Sequence, residues 1–220
     1  MCLWVNLEYL EIISAPNELV KSKIAQVIER WVLEQGCGVQ GARTPGMVVQ
    51  GQIDQERVVR MQGVQGDPAA KDQRWLFDRK VKVDYESADV LSLERYEECW
   101  PSDAQRDEGG IKYVNFRPST GEVIRLEDIM KPGFEQPLNF AAEGRFRTVY
   151  QLGPNPSFKD SLFSFPQNRF RLTRNFSIGL EGLTFFYQTD EIGPRALGGV
   201  SFFLPYSDFR NLLRPDAHIP

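Results

Sequence analysis

The sequence predicts an α+β fold, an antiparallel sheet packed with two or three helices, from three observations. Residues 19–32 carry apolar side chains at three- and four-residue intervals. Short runs rich in Val, Ile, Phe and Tyr recur along the chain, each bounded by Gly, Pro, Asn or Asp. These runs come in groups that read as hairpins, which is the arrangement of an α+β domain.

Taken in order, residues 3–13 mix Trp, Val, Leu, Tyr and Ile in the manner of a strand, and Ser14-Ala15-Pro16-Asn17 supplies turn and helix-capping chemistry. The helix that follows has Leu19, Val20, Ile24, Val27, Ile28, Trp31 and Val32 on its apolar stripe, and Gly36 and Gly38 end it. Residues 44–70 are rich in Gly and Gln, with short strands expected at 47–49 and 57–61. Residues 75–83 and 90–96 read as better strands, joined by a hairpin connection or bulge at 84–89. After a polar stretch at 101–110, residues 111–116 resume an extended pattern and turn through Ser119-Thr120-Gly121-Glu122 into 123–126. Lys131-Pro132-Gly133 breaks the chain before a helix over 134–150 with Leu138, Ala141, Ala142, Phe146 and Val149 on its stripe. Strands are expected again at 170–172, 175–180, 183–188 and 199–204, and a short terminal helix at 207–213.

Composition bounds the function. The chain has 220 residues, 41% of them hydrophobic, which suffices for a real core in one large domain or two small intertwined ones. The division expected is an N-terminal tether and first strand at 1–13, then a single domain at 14–220 with subdomains 14–130 and 131–220. A net charge of −4 argues against nucleic acid as a partner. No apolar run approaches the ~18 residues of a membrane span. Three cysteines without a Cys-x-x-Cys spacing and a single histidine, His218, two residues from a frayable end assemble no zinc set and no His-based nucleophile. No cofactor is expected, and the chemistry reads as binding rather than catalysis.

Several phrases in order carry a resemblance. They are Val83-Asp84-Tyr85-Glu86-Ser87-Ala88-Asp89-Val90-Leu91-Ser92-Leu93, Gly109-Gly110-Ile111-Lys112-Tyr113-Val114-Asn115-Phe116, and Thr120-Gly121-Glu122-Val123-Ile124-Arg125-Leu126-Glu127-Asp128-Ile129. Later come Asn175-Phe176-Ser177-Ile178, Gly182-Leu183-Thr184-Phe185-Phe186-Tyr187, Glu191-Ile192-Gly193-Pro194, Gly198-Gly199 and Pro205-Tyr206-Ser207-Asp208-Phe209. The series resembles the RsiV-type extracytoplasmic domain, found in an anti-sigma factor and beside some peptidoglycan deacetylase domains. The resemblance implies a non-catalytic domain outside the cytoplasm that binds lysozyme or peptidoglycan. Two positions depart from the family pattern: Lys112 replaces its usual His, and Arg195 follows Pro194 where an aromatic residue is common. Both lean toward a private partner such as a cognate muramidase toxin.

Cys2 has two readings, an ordinary buried thiol or the lipid-bearing first residue of a processed lipoprotein, the only route by which the membrane enters. Cys37 and Cys99 either pair in an oxidising envelope compartment or remain buried thiols. The 190–199 loop is too long for a tight hairpin and is expected to protrude. In it Asp190, Glu191, Pro194 and Arg195, with Lys112 and Tyr113, are the partner-binding candidates. A Pro-stiffened loop bearing one Arg suits insertion between the paired carboxylates of a lysozyme-type cleft, whereas the plainer role for Glu191 is a local cap or pair. Arg145, Arg147, Arg169, Arg171 and Arg174, interleaved with Phe163, Phe165, Phe170 and Phe176, suggest sugar stacking at one extreme and strands with one buried face at the other. Asp84, Glu86, Asp89 and Glu94 read as a solvated hairpin face. The function expected is inhibition of a lysozyme-type peptidoglycan hydrolase in the envelope; the alternative is a module that grips peptidoglycan directly.

Overall fold

The computed structural model describes residues 3–35, 37, 40–66, 75–100, 109–153, 157–159 and 161–220. Its elements run β1 (Leu3–Glu8), α1 (Glu18–Leu33), α2 (Pro45–Gly66), β2 (Trp75–Glu86), β3 (Leu91–Trp100), β4 (Gly110–Phe116), β5 (Val123–Ile124), α3 (Leu126–Ile129), α4 (Glu135–Val149), β6 (Phe176–Ile178), β7 (Gly182–Tyr187) and β8 (Val200–Pro205). Five strands form one sheet in the order β1-β2-β3-β4-β5, and three form a second in the order β6-β7-β8. The fold is α+β, as the hairpin grouping implied. The β1–β2 pair departs from the antiparallel sheet expected: β1 runs parallel to β2, with Leu3 opposite Trp75 and Glu8 opposite Lys80. Two helices separate these strands in sequence, the kind of crossover a parallel pair requires.

The chain divides into two compact units. The first comprises Met1–Ile13, Ser22–Lys82 and Arg95–Gly110; the second comprises Ser14–Lys21, Val83–Glu94 and Ile111–Pro220. The boundary passes through the long strands β2 and β3 rather than through a linker.

In the first unit, α2 replaces the two strands expected at 47–49 and 57–61. Thr44 caps it, its Oγ1 accepting the Met47 amide at 3.2 Å, and Pro45 occupies the first helical position. Val48, Gln52 and Glu56, four residues apart, form its buried face. Two of these three are polar, so the helical period was hidden from a reading that tracked apolar residues. Gln52 accounts for its burial by donating to the Cys37 carbonyl at 3.1 Å and accepting from the Trp75 indole at 3.2 Å. One cluster of its core joins Cys37, Val48, Phe77 and Cys99, with Val5, Leu7, Leu33 and Ala42 against it, and Ile24, Ile28, Trp31, Val32, Trp75 and Val81 are buried as well. Cys37 and Cys99 are disulfide-bonded, with Cα atoms 5.9 Å apart.

Beside that core lies a buried ionic network. Arg79, 1% exposed, donates from Nη1 to the carbonyls of Val32 (2.8 Å) and Glu34 (2.9 Å), closing the C-terminal end of α1 as a cation should. Its Nε donates to Glu97, and Glu97 also accepts from Arg95 at 2.5 Å; Arg95 reaches Glu34 at 2.9 Å. Burial pulls the Arg79 guanidinium below its ordinary value, against the pull of Glu97.

The second unit packs a core around α4, whose Leu138, Ala142 and Phe146 repeat every four residues on its buried side. Phe146 touches seven rings, those of Tyr150, Phe158, Phe163, Phe165, Phe170, Tyr187 and Phe202, at 4.7–6.4 Å between centroids. Residues 170–172 form no strand. Asn139 of α4 takes the place of a strand neighbour, donating to the Phe170 carbonyl at 3.2 Å and accepting the Leu172 amide at 2.9 Å. The expected terminal helix is two short 3-10 turns, Tyr206–Asp208 and Arg210–Leu212. The C-terminal tail is pinned rather than frayed: Arg117 donates to the carbonyls of Ala217 and His218, and Ala217 is buried.

Candidate functional site

The 188–199 loop joins β7 to β8. Its base is fixed by Glu191, whose Oε2 accepts the Gln188 amide at 2.7 Å, so the local cap is the role this acid plays. Asp190 adopts a left-handed backbone (φ 67°) beside it. Ile192 is buried in the core, and its carbonyl accepts the Ser164 amide at 2.7 Å. Pro194 leads into a 3-10 turn, Arg195–Leu197, ending at Gly198 with φ +70°. Pro194 is exposed and Arg195 partly so. Gly199 then lies against the Phe186 ring, where a Cβ would approach within 2.2 Å. This contact is a packing reason for glycine at the end of the Gly198-Gly199 pair.

Two cavities open beside this loop's base and β4. The smaller, about 260 Å³, is lined by Phe165, Arg171, Leu172, Arg174, Tyr187 and Glu191, among others. The larger, about 480 Å³, is lined by Tyr113, Asn115, Arg125, Glu127, Arg174 and Phe176, among others. Arg174 lines both and pairs with Glu127, both side chains about half exposed. The arginine holds the Glu127 carboxyl below its ordinary value.

Of the residues singled out in the sequence, Tyr113 therefore lines the larger cavity and Glu191 the smaller. Asp190, Pro194, Arg195 and Lys112 line neither. The Tyr113 amide donates to Asn175 at 2.8 Å, and burial, reinforced by Glu94, raises its phenol well above the ordinary value. Glu94 departs from the solvated face expected of the hairpin acids: it is buried because β3 is covered on both sides, while Asp84, Glu86 and Asp89 are exposed. The rings of Phe163, Phe165, Phe170 and Phe176 are buried core, and Arg147 lies over Phe158 at 4.2 Å while pairing with Glu143 at 2.8 Å. Cys2 lies outside the described residues. Among the described residues, no group of three or more His, Cys, Asp or Glu is placed to hold a metal, and no helix is long and apolar enough to cross a membrane.

Sequence reasoning missed Asn115 and Asn175, which join the edges of β4 and β6. Asn115 accepts from Ser92 (2.7 Å) and the Ile178 amide (2.9 Å) and donates to the Phe176 carbonyl (2.9 Å). Asn175 donates to the carbonyls of Ile111 (2.7 Å) and Phe186 (3.1 Å). A signal was available for Asn115, which sits inside the strand-like run 111–116, whereas Asn175 stands at the start of its run, after Thr173-Arg174.

Residues 127–207, all in the second unit, match the family described as "Protein of unknown function (DUF3298)". No curated protein matches the chain. Among solved structures, a member of the DUF3298 family from Bacteroides fragilis is similar with a TM-score of 0.70 and 14% identity, over 93% of this chain and 82% of that one. A DUF3298 family protein from Pseudomonas aeruginosa is similar with a TM-score of 0.53 and 16% identity, over 78% of this chain and 83% of that one. At these identities the likeness is one of fold. The chain thus matches the DUF3298 model over α4, β6–β8 and the 188–199 loop, and its fold is similar to that of solved DUF3298 family proteins.

Proposed function

We propose that this chain is a non-catalytic protein of the bacterial cell envelope that binds and inhibits a lysozyme-type peptidoglycan hydrolase, either in defence or as immunity to a muramidase toxin. The observation that carries the reading is the order of the 188–199 loop. Glu191 caps its base, Ile192 anchors it in the core, and Pro194 sets up the turn that carries Arg195. A partner meeting an ordered loop loses less conformational entropy on binding than one that must organise it. Hydrolases of this class work with two carboxylates flanking the scissile bond, so a guanidinium placed between them blocks substrate and neutralises the acids together. Lys112 and Tyr113, on β4, complete the contact. In this reading Cys2 carries the lipid that tethers the chain, and the Cys37–Cys99 disulfide suits an oxidising compartment.

The test is a titration of the chain against a c-type lysozyme and bacterial muramidases, read by cell-wall lysis and by calorimetry. Stoichiometric loss of lysis, weakened by Arg195→Glu, is expected; full lysis throughout the panel refutes the reading. The second reading, a module that grips peptidoglycan itself, draws on Phe140 of α4, 80% exposed, as a stacking face. Retention on purified sacculi, lost in Phe140→Ala, distinguishes it.

A further inference from the structure

We infer that the hydrolase is held not by the loop tip alone but by a pair of arginines at the loop's foot, Arg171 and Arg174, which take a carboxylate from the rim of its cleft. The inference rests on the inhibitor reading above and names the contact that would carry it.

Both arginines line the smaller cavity, and Glu191, the acid among its lining residues, is already engaged by the Gln188 amide. Arg171 is exposed and makes no ion pair among the described residues. Arg174 pairs with Glu127 at the surface, where such a pair contributes little and exchanges readily for another carboxylate. The cavity thus offers two cations, one unpaired and one exchangeably paired, beside the apolar side chains of Phe165, Leu172 and Ile192.

The backbone beneath them is immobilised although it belongs to no strand. Asn139 holds Phe170 and Leu172, the Tyr187 hydroxyl donates to the Arg171 carbonyl at 2.8 Å, and Asn175 is tied to Ile111 and Phe186. Irregular backbone clamped at this many points fixes where the two arginines leave the chain, so a carboxylate that binds their guanidinium forks orders side-chain rotamers but no main chain. Carboxylates are the complementary chemistry, and a lysozyme-type cleft is rich in them.

The experiment compares Arg171→Glu, Arg174→Glu, Glu127→Gln and, as a control on α2, Arg57→Glu, each melted to verify folding and titrated with a c-type lysozyme and a bacterial muramidase at low and high salt. Each reversal at Arg171 or Arg174 is expected to weaken binding about tenfold or more and to flatten its salt dependence. Glu127→Gln removes the same ion pair as Arg174→Glu but releases the arginine, so it is expected to bind as tightly as the parent or tighter. If Glu127→Gln weakens binding as much as Arg174→Glu, the pair is structural and the inference is overturned. Parent-like binding by both reversals overturns it while leaving the inhibitor reading intact. No binding by the parent to any hydrolase removes that reading and this inference with it. If soluble muropeptides, rather than the hydrolases, bind in an Arg171-dependent way, the carboxylate belongs to the wall and the inference is likewise overturned.

Discussion

Replacing Phe146 by Ala removes the ring on which the second unit converges. The side chain is fully buried and is in contact with seven aromatic neighbours, three of them Phe158, Phe163 and Phe165. Deleting a buried Phe costs about 3–5 kcal/mol through lost transfer energy and the residual cavity. The upper half of that range applies here, because neighbours of this size cannot close over the hole without leaving their rotamers. The control is Phe140→Ala on the same helix: at 80% exposed, it is expected to change stability by no more than about 0.5 kcal/mol. Urea unfolding measures both, and the sequence supplies separate reporters. Trp4, Trp31, Trp75 and Trp100 all fall in the first unit, whereas five of the seven tyrosines, Tyr85, Tyr113, Tyr150, Tyr187 and Tyr206, fall in the second, with Tyr9 and Tyr96 in the first. Phe146→Ala is therefore expected to move the tyrosine near-UV signal most. Equal costs for Phe146→Ala and Phe140→Ala would refute the assignment of Phe146 as the centre of that core.

Three other predictions concern buried chemistry. Glu97→Gln leaves Arg79 and Arg95 buried without their shared carboxylate and is expected to cost about 3–5 kcal/mol, read by tryptophan fluorescence, with Arg79→Met in the same background recovering part of the loss. Removing the disulfide with paired Cys37→Ser and Cys99→Ser releases a constraint spanning 62 residues, a loss of about 4 kcal/mol on the chain-entropy account, again in the tryptophan signal; an unchanged urea midpoint contradicts it. Burial holds the phenols of Tyr113, Tyr187 and Tyr206 well above the ordinary value, so the folded state keeps protons that the unfolded chain releases above about pH 10. Stability is then unaffected below that pH and falls as pH rises through it, by about 1.4 kcal/mol per unit for each phenol. A 295 nm titration should show these groups ionising together with loss of circular dichroism, and gradual ionisation in an intact fold would refute it.

How much of this was legible depended on which forces set each element. α1 and α4 were readable because their buried stripes are apolar: Ile24, Ile28 and Trp31 in one, Leu138, Ala142 and Phe146 in the other. β7 and β8 were readable because Gly182, Asp190, Gly199 and Pro205 bracket them. α2 was not, since its inward face is Val48, Gln52 and Glu56, and a buried Gln that satisfies both ends of its amide looks like surface in sequence. The segment 170–172 has a strand's alternation but is held by a side-chain amide, a partner with no signature in local pattern. At the candidate site, the sequence drew attention to the loop itself and named Glu191 and Tyr113. Arg171 and Arg174 were noted only as part of a basic stretch, because their significance lies in sharing a cavity, which is a property of the folded chain.

The capping of α1 by Arg79 bears on how the protein is made. The carbonyls it closes belong to residues 47 and 45 positions earlier in the chain. At ordinary synthesis rates of about 5–20 residues per second, α1 is polymerised roughly 2–9 seconds before the side chain that completes it. Cys37 waits longer still for Cys99. The N-terminal third is therefore expected to stay open to proteases and chaperones until β2 and β3 have been made, and to close as one event when they arrive.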